Sequence, residues 1–118
     1  MKYLLLVYGE EGLLTPEEMQ HCYAESTEVT KELEKKGQFY GASPLHSVDL
    51  ATSVRVREGR RLVTDGPFAE TREQLGGYFL VEAADLDEAI EIAGKIPGAR
   101  WGTVEIRPVV EQVGLPRK

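Results

Sequence analysis

The sequence predicts a single α+β domain, with an antiparallel sheet carrying two helices on one of its faces. Three observations predict it. A chain of 118 residues has room for one hydrophobic core and no second. Its hydrophobic pattern alternates between strand-like and helix-like stretches in the order β-α-β-hairpin-β-α-β. Two of the strand-like stretches, residues 3–8 and 77–83, are apolar on both parities, whereas the last, residues 101–109, alternates. The first two therefore belong in the middle of a sheet and the last at its edge.

Each element has its own warrant. Tyr3, Leu4, Leu5, Leu6, Val7 and Tyr8 form an unbroken apolar run that stops at Gly9-Glu10-Glu11. This run is too short for a signal peptide's apolar core and lacks a small-residue cleavage site, so it reads as a strand. Thr15-Pro16-Glu17-Glu18 is a helix start: Thr15 caps, Pro16 suits the first helical position, and Glu18 completes a capping box. Met19, Cys22, Tyr23, Ser26, Val29 and Leu33 then recur at helical spacing as one buried stripe, with Glu25, Glu28, Lys31, Glu32 and Lys35 on the wet side. Lys35-Lys36-Gly37 ends the helix.

Residues 38–44 are extended, with Phe39-Tyr40 followed by small residues and Pro44. The stretches 52–57 and 61–64 flank Glu58-Gly59 as a β-hairpin, and Asp65-Gly66-Pro67-Phe68 is a compact turn. After the strand at 77–83, Asp85-Leu86-Asp87-Glu88 caps a second helix whose stripe is Leu86, Ala89, Ile90, Ala93 and Ile96, stopped by Pro97-Gly98. In the final strand Val104 and Ile106 share one face, with Thr103, Glu105 and Arg107 on the other. Residues 1–112 make one domain and 113–118 a loose tail.

This order folds most simply as a ferredoxin-like sandwich with both helices on one face. The opposite face of the two central strands is apolar as well and needs a cover, either the inserted hairpin or a second subunit. The chain is accordingly expected to be a homo-oligomer, most simply a dimer.

Composition narrows the function. Net charge is −6 and no Lys/Arg stripe with interleaved aromatics offsets it, which disfavours nucleic-acid binding. No segment approaches the length of a membrane span. The single cysteine, Cys22, cannot form an internal bridge and reads as a packed or half-packed thiol in a reducing, cytoplasmic setting. His21 and Cys22 point to different helix faces and no Cys/His cluster exists, so no metal is implied, and no nucleotide cofactor either.

The segment from Leu62 through Thr64-Asp65-Gly66-Pro67-Phe68-Ala69-Glu70-Thr71-Arg72-Glu73-Gln74 to Gly76-Gly77-Tyr78 resembles the signature of the DGPF proteins, part of the YCII-related family. The likeness extends to Met1-Lys2-Tyr3-Leu4, to Ala51-Thr52-Ser53-Val54-Arg55-Val56-Arg57 and to Pro97-Gly98-Ala99-Arg100, covering nearly the whole chain. It implies a ferredoxin-like protomer and a dimeric α+β barrel in which two sheets pack face to face. Members of the family often carry a His on the first helix with an Asp nearby, proposed as an acid–base dyad. One branch includes a dehydrochlorinase acting on a chlorinated hydroxyhydroquinone. Counted back from Gly37, that His position falls at about Ser26 here, and His21, more than a helical turn away, does not inherit the role. The DGPF proteins also resemble domains found alongside extracytoplasmic-function sigma factors, which implies a regulatory or accessory setting.

Two candidate catalytic residues stand out. His46, at the end of the second strand with Asp49 nearby, could exchange protons near neutral pH. Asp65 could act as a base or orient that histidine, although an Asp before Gly-Pro also serves simply to cap a turn. Tyr8, Phe68, Tyr78 and Trp101 could line an aromatic-accepting pocket, and Glu70 could bind a polar ligand group or pair with Arg55 or Arg100. Residues 71–74 form a short helical turn or loop over the pocket mouth, and Gly76-Gly77 mark a bulge. Two functions follow. One is proton-transfer chemistry, isomerase- or lyase-like, on a small polar cyclic or aromatic metabolite. The other is a non-catalytic module that binds a ligand or a protein, connected with sigma-factor-type regulation.

Overall fold

A computed structural model describes residues 1–111; the expected tail at 113–118 lies outside the described residues. The chain forms β1 (Lys2–Gly9), α1 (Pro16–Lys35), β2 (Phe39–Pro44), β3 (Thr52–Arg57), β4 (Arg60–Asp65), β5 (Gln74–Glu82), α2 (Leu86–Lys95), α3 (Gly98–Trp101) and β6 (Thr103–Pro108), with one 3₁₀ turn at Val48–Leu50. The main sheet is antiparallel with order β2-β5-β1-β6. The two strands that are apolar on both parities are central and the alternating one is an edge.

The helices cover one face of this sheet. Tyr3, Leu5, Phe79 and Val81 point at them and are buried with Leu33 of α1 and Ala89, Ile92, Ala93 and Ile96 on and just after α2. The other face carries Leu4 opposite Leu80 and Leu6 opposite Tyr78, half-buried or exposed, between charged borders formed by Lys2 and Glu82 at one end and by Glu105 and Arg107 along β6.

Both helix starts form as their residue types dictate. The Thr15 hydroxyl accepts from the Glu18 amide, and the Glu18 carboxylate accepts from the Thr15 amide. Asp85 caps α2 through the Glu88 amide, while the Glu88 side chain reaches back to the Ala84 amide and to Gln38 on the neighbouring loop. The hairpin β3–β4 closes through Glu58 and Gly59, both at positive φ (51° and 73°), the pair of left-handed residues that a tight two-residue hairpin requires.

Four expectations need correcting. The buried stripe of α2 is Ala89, Ile92, Ala93 and Ile96; Leu86 and Ile90 are exposed, because the helix is rotated by about one residue from the face expected. Of the α1 stripe only Leu33 is buried, with Val29 packed at the core's margin. Met19, Cys22 and Ser26 are half-buried and Tyr23 is exposed, because the N-terminal half of the helix faces a cavity and not the sheet. Residues 71–73 take the loop alternative, and β5 begins at Gln74, three residues ahead of the expected start. Finally, β3 and β4 form a separate two-stranded sheet, exposed at every residue but Ser53, so the hairpin does not cover the open face.

Candidate functional site

The cavity has a volume of about 860 Å³ and lies between the N-terminal half of α1 and the end of the sheet where β1, β2 and β5 meet α3. It exists because of the residue types on α1. Where a core helix would present Leu or Ile, this helix presents Ser26, Thr27 and Thr30, which are too short to close the gap. Phe39, Phe79, Val7, Ala42 and Ile96 provide an apolar wall, and Tyr23 and Trp101 add aromatic surface.

Glycines set the far wall. Gly76 is the extra residue of a β-bulge: Val7 pairs with Gly77 and Tyr8 with Leu75. A Cβ on Gly77 would stand 3.0 Å from the Ser43 carbonyl oxygen. On the other side α3 presses onto β1 so closely that a Cβ at Gly98 would lie 2.5 Å from Val7 Cγ1, and one at Gly102 only 2.0 Å from the Tyr8 carbonyl oxygen. Arg100 of α3 then reaches Glu25 of α1 through Nη2, at 2.8 and 3.0 Å from its two carboxylate oxygens, bracing the two elements against each other.

His46 lines the cavity from the exposed segment after β2. Two anchors hold that segment. The Leu45 amide donates to the Gly76 carbonyl at 2.8 Å. The Glu11 carboxylate accepts from the Ser47 hydroxyl at 2.7 Å and from the Val48 amide at 3.0 Å. Tyr8 and Tyr78 border the cavity from β1 and β5, but their side chains share the open face of the sheet with Leu6 and Glu105. Burial, and then the neighbouring Glu105 carboxylate, raise the Tyr8 phenol above its ordinary value, so it stays protonated.

The other expected residues lie elsewhere. Asp65 ends β4 on the exposed hairpin; it does not line the cavity, and among the described residues no hydrogen bond joins it to His46. The expected orienting pair is therefore not assembled within this chain. Phe68 is 78% exposed with the Arg55 guanidinium over its ring at 5.2 Å, and Glu70 is exposed on the same connection. Arg100 is taken by Glu25, so it is not a partner for Glu70. The turn itself is held by backbone: the Gly66 amide donates to the Ala51 carbonyl at 2.8 Å, and the Ser53 hydroxyl to the Gly66 carbonyl at 2.8 Å.

Sequence reasoning missed the hydroxyl-bearing face of α1 and Glu11 as parts of this region, whereas Trp101 of α3 lines the cavity as expected. The signal for the first was present: three short polar residues, Ser26, Thr27 and Thr30, on the inward side of a long amphipathic helix. Ser26, the position corresponding to the family's usual His by the count from Gly37, does line the cavity. Among the described residues no cluster of three or more His, Cys, Asp or Glu could hold a metal, and no helix is long and apolar enough to cross a membrane.

Comparison with known proteins agrees with this architecture. In sequence, the chain is 32% identical over 114 residues to an uncharacterised protein of Rhizobium meliloti (strain 1021), covering 92% of each. In structure, it is similar to the 5-chloro-2-hydroxyhydroquinone dehydrochlorinase of Burkholderia phenoliruptrix AC1100, solved with 2,5-dihydroxybenzoquinone, with a TM-score of 0.57 at 14% identity over 95% of this chain and 96% of that one. At that identity the likeness speaks for the fold alone. Residues 1–112 match the model of the YCII-related domain, and on that match the chain belongs to the YCII-related family.

Proposed function

We propose that this chain is a small-molecule enzyme of lyase or isomerase type, acting on a polar cyclic or aromatic metabolite held in the cavity beside α1. The observation that carries this reading is the cavity itself: about 860 Å³, largely apolar and aromatic, with an ionisable side chain, His46, on its wall. Pockets of that size and character usually take small organic ligands. In this reading His46 moves the proton and Tyr23 and Trp101 flank the ring. A structural neighbour that acts on a chlorinated hydroxyhydroquinone makes such rings the natural first substrates to try. The protein works as a homodimer in a reducing, cytoplasmic setting, with the apolar sheet face of Leu4, Leu6 and Leu80 covered by its copy.

The test is turnover of hydroxyhydroquinones, followed as chloride release from a chlorinated ring and as deuterium exchange from solvent into a non-chlorinated one. Wild type should be active and His46→Gln slower by about 10²- to 10⁴-fold, the span usual for a positioned acid–base group. One observation favours a second reading, in which the protein binds without catalysing. Among the described residues His46 has no side-chain partner to orient it. Saturable binding of the ring with neither chloride release nor exchange would establish that alternative.

A further inference from the structure

Two exposed surfaces of the chain are uncovered among the described residues, and they fit each other. The first is the β3–β4 ribbon. Its register sets Val54 opposite Val63 and Val56 opposite Arg61. Side chains alternate along a strand, so Val54, Val56, Val63 and Arg61 share one face, and Arg55, Arg57, Arg60 and Leu62 share the other. The arginine face is partly taken, with Phe68 under the Arg55 guanidinium. The valine face is open: Val54, Val56 and Val63 are 58%, 61% and 58% exposed. A two-stranded ribbon is marginally stable by itself in water and gains from packing its apolar face. Residues 52–63 hold four arginines and one glutamate, three positive charges net in a chain of −6, which leaves −9 on everything else. Among the described residues none of the four arginines has a carboxylate within ion-pair distance.

The second surface is the outer side of α2. Leu86 and Ile90, one turn apart, are 52% and 51% exposed. Asp87 and Glu91 form the adjoining row, exposed and, among the described residues, without a hydrogen bond or ion pair. Gly94 ends this side of the helix, and a Cβ there would meet nothing within 4 Å, so packing within the chain does not call for a glycine. Glycine weakens a helix but lets another backbone lie close.

We infer that the ribbon of one copy docks on α2 of another, with its valines on Leu86 and Ile90 and its arginines beside Asp87 and Glu91. Apolar surface meets apolar surface and each charge meets its opposite, which no other pairing of these elements provides. Ribbon against ribbon would set arginines against arginines. A nucleic acid would be repelled by the acidic remainder of the chain and would leave the valines uncovered. α2 packs on the helical side of the sheet, away from Leu4, Leu6 and Leu80, so this contact links the proposed dimers and does not compete with them. One ribbon face on one helix face is smaller than the roughly 1,200 Å² of a stable complex. The contact is therefore weak and reversible, and fills only where the protein is concentrated. Unlike patches meet, so it can extend beyond a closed pair. It is independent of what the cavity holds.

Sedimentation of the intact protein from micromolar to millimolar concentration reads this contact. The mean mass of wild type is expected to rise with concentration and to fall back when salt is added. The ribbon variant Arg57→Glu with Arg61→Glu and the helix variant Asp87→Lys with Glu91→Lys each set like charges face to face. Each should weaken the association by about tenfold or more. The helix variant carries less net negative charge than wild type, so general repulsion alone would make it associate more strongly. Mixed in equal amounts, the two variants pair natively in one direction and with reversed charges in the other, and the rise in mass should return. All four side chains are exposed, and circular dichroism checks that the variants stay folded. Should either pair disturb folding, Ile90→Gln replaces it and should also weaken the association. A wild-type mass constant over the whole range overturns the inference. So does association that survives in the helix variant, or a mixture that does no better than its components.

Discussion

At the scale of single residues, steric contact and unmade contact give opposite expectations. Gly102 sits where an added Cβ would meet the Tyr8 carbonyl oxygen at 2.0 Å, with backbone on both sides of the clash and no flexible end to move aside. Gly102→Ala should therefore cost about 1–3 kcal/mol, the usual penalty for overpacking, and a urea titration reads it directly. Asp65 is the reverse case. It is exposed and, among the described residues, its carboxylate has no hydrogen-bond partner, while backbone and Ser53 hold the turn after it. Asp65→Asn should change stability by no more than about 0.5 kcal/mol, and the same titration would expose a larger role. Glu82 adds a pH dependence. The N-terminal amine, and then the Tyr40 hydroxyl at 2.8 Å, hold its carboxyl below the ordinary glutamate range. A carboxyl lowered on folding contributes stability that is present above its unfolded value and is lost as pH falls through its folded value. Glu82→Gln should lower stability modestly at neutral pH and leave it little changed at acid pH, flattening the acid limb of a stability–pH profile.

At the scale of elements, local chemistry made some parts legible and left others hidden. The helix caps, the Glu58-Gly59 turn and the Gly76 bulge were readable because each depends on residue types within a few positions. Strand placement was readable because burial on two faces and on one leave different patterns. Three features were not. The rotation of α2 depends on which of two overlapping apolar stripes, Leu86–Ile90 or Ala89–Ile92–Ala93–Ile96, meets the sheet, and only packing decides that. The stand-off of α1 depends on the distance between a helix and a sheet brought together by the chain's tertiary course. The separation of His46 from Asp65 depends on the hairpin between them forming its own sheet. Glu11 illustrates the same point: it lies 37 residues from Val48 and yet fastens the segment that carries His46. Glu11→Ala should leave the fold intact while loosening that segment, read as faster amide exchange at Ser47 and Val48 and weaker binding of any cavity ligand.

At the scale of the whole molecule, the sheet has one face committed to helices and one face without them. Leu4, Leu6 and Leu80 sit together on the second face, inside a border that includes Lys2 over the Tyr40 ring at 4.6 Å. A chain with net charge −6 gains nothing electrostatically from self-association, so apolar area must drive the proposed dimer. Leu6→Lys puts a cation in the middle of that face. The expected outcome in sedimentation is a shift from twice the chain mass to the chain mass, with helix content retained. A wild type that already sediments at the chain mass would remove the dimer from the proposal.

The β3–β4 ribbon has a practical consequence as well. Two strands exposed on both sides, joined by a two-residue turn and followed at once by Arg60-Arg61, form the part of the fold whose opening disturbs the core least. Trypsin should make its first cut there, giving two fragments that stay associated under native conditions and separate in denaturant. The same turn should accept an inserted peptide tag or a fluorophore-bearing loop without loss of the fold, making it the natural attachment point for immobilising the protein with its cavity unobstructed.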